Sequence, residues 1–311
     1  MNTLSVLIAT KNRPQALQTC VQSILAQEPK PLEIVIIDQS PTGGPPIANG
    51  QGTSFVSVRH ISKPNLSGLT QARNLAVSLA SGTVLLFLDD DVELAPGYVR
   101  EILGFFDGDQ SGRLGGIGGH IINLPETVSW LQRVRLRLFY RGPFSVERDA
   151  LAFHLHPGDH PRRARRLNGC NMAYRREVFD RATFDEGYSG YGLGEDRDFS
   201  VQVSRAYELW WVPGARVSHK QTPASRLDRE RFCELRILSW LRFYEKCTRK
   251  SPGALLSYVW LNMDFLALGF KVWDWATVRG TWRGLCRLAA IASGRADLNE
   301  VLRDGWHPES S

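Results

Sequence analysis

Three adjacent carboxylates, Asp89, Asp90 and Asp91, end the apolar run Val84 to Leu88 in the string FLDDDVEL. The continuous apolar character of that run, with Ser81 and Gly82 before it, reads as a buried strand. Aspartate is depleted in strands and like charges repel, so a triplet at a strand's carboxyl end implies a cation or hydrogen-bond donors facing it. In open α/β sheets that edge is where ligands bind. A solvated turn, or the N-cap of a helix beginning near Pro96, would also accommodate the acids. Asp38 ends the earlier run LEIVIID on the same edge. A carboxylate there can accept from the imide N–H of uracil or thymine or from guanine N1–H, whereas cytosine has no donor at that position. Arg13, just after the first strand, and Arg73, in the helix-starting string GLTQARN, are cations suited to phosphate. A further acidic group, Glu195, Asp196 and Asp198, follows the glycines of GYGLGEDRDF. Caps and dipole partners account for many acids at helix starts, but these glycines point to a loop that meets substrate.

The elements that must position these residues alternate over the first 90 residues. LSVLIA, a helix over about Pro14 to Ala26 and LEIVIID come first, then a Gly/Pro-rich loop from Pro41 to Gly52. VSVRHI, a helix over about Leu69 to Ser81 and TVLLFLD follow. Short apolar strands in β-α-β alternation predict an α/β domain with a mostly parallel sheet covered on both faces, nucleotide-binding in style. A dinucleotide fold needs GxGxxG after its first strand, and TKNRP stands there instead. The cluster GGIGG, Gly115 to Gly119, comes too late and runs into apolar HII, so it reads as close backbone packing in a strand; hydride transfer is not expected. NGCNMAYRREVF places small and amide residues before an expected helix start.

From Trp130 to Arg166 the chain is basic and irregular. Arg133, Arg135, Arg137, Arg141 and Arg148 precede His154, His156, His160 and the cluster Arg162, Arg163, Arg165 and Arg166. The segment reads either as a mobile binding loop or as a solvated basic face. Beyond Ser225 the pattern is helical to the end, so the expected division is an α/β domain over 1–222 and a helical extension over 223–311. In the extension Trp260, Trp273, Trp275 and Trp282 interleave with Arg279, Arg283 and Arg287, which suits a membrane interface; packing onto the preceding domain explains the same pattern. The run Ala254 to Phe270 carries Asn262 and Asp264 and falls short of the roughly 20 apolar residues of a span, so a surface-lying helix is expected.

The 311 residues carry a net charge of +6, which points to an anionic partner: a nucleotide, a phospholipid surface or a nucleic acid. Five scattered cysteines without CxxC spacing indicate neither a disulfide framework nor a zinc site, and fit a reducing compartment. The first apolar run, Leu4 to Ala9, is short and is followed by Lys11 and Arg13, so no secretory signal is read and a cytoplasmic location is expected.

Taken in order, SVLIATKNRP, IVIIDQS, GLTQARN, FLDDDVEL, NGCNMAYRREVF, GLGEDRDF and VSHK resemble the family 2 glycosyltransferases, inverting enzymes of the GT-A fold, over roughly residues 3 to 222. The resemblance implies that the acidic triplet binds the metal and ribose of a sugar nucleotide. Asp89 and Asp91 would be metal ligands, and His219 of VSHK would complete the metal shell. The implied donor-binding set is Thr10, Arg13, Asp38, Arg73, Asp89, Asp90 and Asn171. The implied catalytic base is Asp196, with Glu195 beside it. The donor would be a UDP-, dTDP- or GDP-sugar delivering a hexosyl or deoxyhexosyl group. The acceptor would be a glycan or a lipid-linked group at the cytoplasmic face of a membrane, recognised by loops between Pro125 and Leu167.

Chemistry accounts for these types. A divalent cation, Mn²⁺ or Mg²⁺, stabilises charge developing on a leaving diphosphate, and an imidazole ligand favours Mn²⁺. In-line attack by an acceptor hydroxyl needs a base within about 2.6–3.2 Å of the proton. Gln39 follows Asp38 where many members carry another acid, and the QxxRW string of processive synthases is absent, so one sugar per encounter is expected. A sugar nucleotidyltransferase would want a glycine-rich basic loop where TKNRP stands. A basic non-enzymatic module, binding nucleic acid for instance, would gain nothing from so many carboxylates.

Overall fold

The computed structural model describes residues 1–41, 56–66, 68–124, 129–155, 158–221, 227–271 and 273–303. The Gly/Pro-rich loop expected from Pro41 to Gly52 and the domain boundary expected at residue 222 lie, from residue 42 in the first case, outside the described residues.

The apolar runs of the first 90 residues become strands β1 (Leu4–Thr10), β2 (Glu33–Asp38), β3 (Ser57–Ser62) and β4 (Val84–Asp89). Side chains of β1, β2 and β4 are buried on both faces, which is why these runs lack polar alternation. Helix α1 (Pro14–Leu25) starts on a proline whose missing N–H and fixed φ suit a first turn, and α2 (Leu69–Leu79) leads into β4. Beyond β4 come β5 (Val92–Leu94), α3 (Tyr98–Asp107) and β6 (Leu114–Ile121). The chain continues through α4 (Trp130–Phe139), α5 (Ser145–Leu155), β7 (Arg162–Ala164), β8 (Asn171–Arg175), α6 (Glu195–Val203) and β9 (Glu208–His219).

The sheet order is β3-β2-β1-β4-β8-β6-β9-β5, with β7 on β9. Strands β1, β2, β3, β4, β6 and β9 run one way and β5, β7 and β8 the other, a mostly parallel α/β sheet. Two apolar clusters cover its faces, one around Ile8, Ile36, Val84 and Ile102, the other around Val35, Phe87, Tyr174 and Phe199. The GGIGG glycines lie in β6, where a Cβ at Gly119 would collide with the Ala215 carbonyl oxygen, as close packing requires.

Two local readings need correction. The basic stretch 130–166 is not an irregular loop. A capping box at Ser129 and Gln132 starts α4, a 3₁₀ turn at Gly142–Phe144 joins it to α5, and β7 follows. Arginines at alternate positions of RVRLRL hid its helical period. In NGCNMAYRREVF the amide-rich start leads into β8 rather than a helix; only a short 3₁₀ turn, Arg176–Asp180, follows it.

The C-terminal part is helical: α7 (Arg229–Cys247), α8 (Pro252–Lys271), α9 (Trp275–Ala292) and α10 (Leu298–Arg303). Its core mixes Ile237, Leu238, Trp240, Phe243, Tyr258, Leu261 and Phe265 with Tyr140, Phe144 and Val146 from the basic stretch. Helix α7 also grips α6: the Arg197 guanidinium stacks 3.4 Å from the Trp240 ring centroid, and Lys246 pairs with Asp198 at 2.9 Å. Trp260, Trp273, Trp275 and Trp282 are exposed, while Arg279 and Arg283 pair with Glu230 and Arg287 with Glu234. Among the described residues no helix is long and apolar enough to cross a membrane.

Candidate active site

Strand register sets the site. Thr10 lies opposite Asp38, and Ala9 opposite Asp89, so the carboxyl ends of β1, β2 and β4 are level. Asp90 and Asp91 form the turn between β4 and β5, and the triplet divides across it. Asp90 turns inward: its Oδ2 accepts from Thr10 Oγ1 at 2.7 Å and its Oδ1 from Arg13 Nη1 at 3.0 Å. Burial drives its pKa up to about 6 against the pull of Arg13 and Thr10. Asp89 and Asp91 face His219. The pairing of β5 with β9 places Val92 opposite His219, which brings its Nε2 to 3.0 Å from Asp91 Oδ1 and 3.8 Å from Asp89 Oδ2. Asn123 holds the His219 backbone from both sides, accepting from its N–H at 2.9 Å and donating to its carbonyl at 2.8 Å.

The ligand atoms of Asp89, Asp91 and His219 lie within 4.8 Å of one another. Donors around one octahedral ion of the Mg²⁺ type sit ~3 Å apart in cis and ~4 Å in trans, and the 3.0 and 3.8 Å distances from His219 Nε2 to Asp91 and Asp89 fall in that range. Two carboxylates and an imidazole also fit a divalent cation by chemistry.

The acid pair reaches the same place from another direction. Residues Gly190 to Gly194 form a loop that bridges Gly68 at the start of α2; a Cβ on Gly68 would collide with the Gly190 backbone, which ties the loop to glycine at this crossing. Helix α6 starts directly after the loop with Glu195 and Asp196 in its first turn. Glu195 Oε1 is paired with Arg73, which also donates to the Gly169 carbonyl at 2.8 Å and contacts Asp89 at 3.3 Å. Arg73 thus ties the acid pair to the triplet. Asp196 accepts from Arg166 Nη2 at 2.8 Å, the Gly169 N–H at 3.0 Å and the Arg197 N–H at 2.7 Å.

The two neighbours titrate in opposite directions. Burial drives Glu195 up to about 8 despite Arg73. Burial would raise Asp196 as well, but Arg166, Arg197 and the Gly169 N–H together outweigh it and hold that carboxyl below its ordinary value. Burial works against the charge on Arg166, yet Asp196 and Glu147 raise its pKa.

Of the residues singled out in the sequence, Thr10, Arg13, Arg73, Asp89, Asp90, Asp91, Glu195, Asp196 and His219 line one cleft of about 270 Å³. Two do not line it. Asp38 is buried, accepting from the Ser40 N–H at 2.8 Å with His60 Nε2 at 3.0 Å from its other oxygen; its neighbour Gln39 lines the cleft instead. Asn171 is fully buried and accepts from the Gly119 N–H at 2.9 Å, joining β8 to β6. Arg13 and Arg73, expected at phosphate, both engage carboxylates. Asp198 is a tie to α7 through Lys246. Sequence reasoning missed Lys11, Asn168 and Tyr191 in the lining, and above all Arg166. The one signal for Arg166 was its place two residues before the Asn168–Gly169 turn, masked by three neighbouring arginines.

Comparison with known proteins identifies the family and the fold. The profile of Glycosyl transferase family 2 matches residues 5–182, more than half of the chain. A glucosyl-dolichyl phosphate glucuronosyltransferase of Haloferax volcanii is 24% identical over 246 residues, covering 77% of this chain and 73% of the relative. Among solved structures, the mannosyltransferase PcManGT of Pyrobaculum calidifontis, in complex with GDP-Man and Mn²⁺, superposes with a TM-score of 0.52 at 14% identity over 98% of this chain and 79% of the other. GalNAc-T7 with UDP, GalNAc and Mn²⁺ superposes with a TM-score of 0.51 at 17% identity over 88% of this chain; the match spans 58% of the GalNAc-T7 chain. Both likenesses are of fold, the GT-A fold.

Proposed function

Since the chain belongs to glycosyl transferase family 2 and is a glycosyltransferase, we propose that it moves one hexosyl or deoxyhexosyl group per encounter from a nucleoside diphosphate sugar to a hydroxyl acceptor, with inversion. The observation that carries this reading is the meeting, in one cleft, of the Asp89, Asp91 and His219 trio with the Glu195–Asp196 pair. The family assignment leaves no support for a sugar nucleotidyltransferase or a non-enzymatic basic module.

Asp89, Asp91 and His219 are the residues that would hold a divalent cation. Such an ion supplies neutralisation of the charge that builds on a departing diphosphate. Mn²⁺ in both solved neighbours supports that assignment, and the imidazole favours Mn²⁺ over Mg²⁺. Asp196 is the base that takes the acceptor proton. Its depressed pKa keeps it ionised through the neutral range, and Arg166 with two backbone N–H groups fixes its orientation. Neighbouring carboxylates pushed apart in pKa are the mark of divided roles, and Glu195, which takes up a proton near neutrality, positions Arg73. Thr10 and Arg13 hold Asp90 at the donor side, while Gln39 and Lys11 join the lining there.

The acceptor in this reading is a glycan or lipid-linked hydroxyl, supported by the glucosyl-dolichyl phosphate in the Haloferax relative's name, and the work is done in peripheral contact with the cytoplasmic face of a membrane. The test is a panel of UDP-, dTDP- and GDP-sugars scored for hydrolysis and binding with Mn²⁺, with Mg²⁺ and after chelation. One donor should stand out and lose binding on chelation. Equal, metal-indifferent binding of every donor would overturn the reading.

A further inference from the structure

Helix α8 buries two polar residues, Asn262 and Asp264, beside its core residues Tyr258, Leu261 and Phe265, and turns Leu255, Leu256, Val259 and Met263 to the outside. Asp264 is only 1% exposed and receives both Nε and Nη2 of Arg135 from α4, at 2.5 and 2.8 Å. Helix α4 lies alongside, fastened further by Trp260 Nε1 donating to the Leu138 carbonyl at 3.0 Å and by the stacked rings of Phe139 and Trp260. Helix α4 has no buried residue at all. Its Trp130, Leu131, Val134 and Leu138 fall on one stripe, and Trp130 and Leu256 are 71% and 68% exposed. The two helices therefore present one continuous apolar face, larger than scattered single exposures explain.

Charge identifies the occupant. Residues 129–141 and 248–263 contain no aspartate or glutamate, yet they carry Arg137, Arg141, Arg249 and Lys250 beside the apolar stripe. A second copy laid on this face by two-fold symmetry would bring cationic rim against cationic rim. An anionic lipid surface meets the same rim with attraction while its acyl region takes the tryptophan and leucines. The tryptophan set of α9 is the weaker candidate, because Arg279, Arg283 and Arg287 are already matched by Glu230 and Glu234.

We propose that the α4–α8 face is a membrane-docking surface, seating the protein in the headgroup region of an anionic bilayer. This deepens the peripheral-membrane reading above by naming its surface, and it stands apart from the transfer chemistry. The chain that builds the face runs on into α5, whose Glu147 pairs with the cleft residue Arg166.

The experiment is sedimentation of the full chain with phosphatidylglycerol-containing vesicles, beside pure phosphatidylcholine vesicles, at low and high salt. Val134→Glu with Leu256→Glu should reduce association by at least about tenfold per side chain withdrawn. Arg137→Gln with Lys250→Gln should reduce it roughly fivefold per charge at low salt and less at high salt. All four positions are exposed, so thermal melts and donor hydrolysis in solution should stay at wild-type values; should the glutamate pair melt early, Val134→Ser with Leu256→Ser replaces it. Trp282→Ser should leave vesicle binding unchanged. Failure of the wild-type chain to sediment would overturn the proposal, as would wild-type binding by the α4–α8 variants. So would a lipid-free dimer that the glutamate pair makes monomeric. Loss of donor hydrolysis in a catalytic variant, with vesicle binding intact, bears on the transfer reading alone.

Discussion

Replacing Asp196 by asparagine removes the assigned base while keeping its size and shape. The two aspartate oxygens accept three donors, from Arg166, Gly169 and Arg197, at 2.8, 3.0 and 2.7 Å. Asparagine has one acceptor oxygen, so its amide NH₂ is left against at least one of those N–H groups. An unpaired buried donor costs about 1–3 kcal/mol. At about 2–4 °C per kcal/mol, the melting temperature should fall by roughly 2–12 °C, leaving a folded protein. The kinetic loss should be larger: a positioned base contributes about 10²–10⁴ in rate, or roughly 2.7–5.4 kcal/mol of barrier. Steady-state kcat at saturating donor, and donor Kd by calorimetry, separate the two effects. We expect kcat to fall at least about 10²-fold with donor Kd within about threefold of wild type. The pH profile adds a check. A depressed pKa means that the base form is present above that value and is lost only as pH falls through it, so the wild-type acid limb should lie below the ordinary aspartate range. If the loss appears in donor affinity while kcat holds, Asp196 is a binding residue and Glu195 takes the base role.

Four further outcomes follow from the same contacts. Asp91→Ala should abolish metal-dependent donor binding, and equal nucleotide affinity with and without Mn²⁺ in wild type and variant would refute the ligand assignment. Arg166→Gln removes the charge that holds Asp196 low, so kcat should fall more at pH 6 than at pH 8, with partial rescue by Arg166→Lys; a uniform drop at all pH values would deny that role. Arg135→Ala strands the buried Asp264 carboxylate and should cost about 3–5 kcal/mol in denaturant melts, while Arg135→Leu with Asp264→Leu should recover most of it; a single-variant loss below about 1 kcal/mol would show that Asp264 rehydrates. A chain ended at residue 226 leaves Tyr140, Phe144 and Val146 without their partners on α7, α8 and α10 and should show no cooperative melt; an active, folded truncation would contradict the shared core.

Several features of this protein were decided by the sequence alone, because they are local. Continuous apolar runs at 4–10, 33–38 and 84–89 can be satisfied only by strands buried on both faces, and acids that end such runs must lie on one sheet edge. The order of short motifs along the chain carried the family for the same reason, since each is a local string. What residues far apart in the chain do to each other is not local. The β5–β9 register alone sets His219 beside Asp91, and the β4–β5 turn gives Asp90 to Thr10 and Arg13 while Asp89 and Asp91 face the imidazole. Arg13 and Arg73 read as phosphate cations because their type says only that they are charged; the fold supplied carboxylates at 3.0 Å for the first and on either side of the second. Arg166 was one arginine among four until the Asn168–Gly169 turn carried it to Asp196. The two-sided character of α8 was equally hidden. Asn262 and Asp264 look like the solvent side of a surface helix, and only the arrival of Arg135 from 129 residues away lets a carboxylate be buried, while Leu255 and Leu256 stay outside.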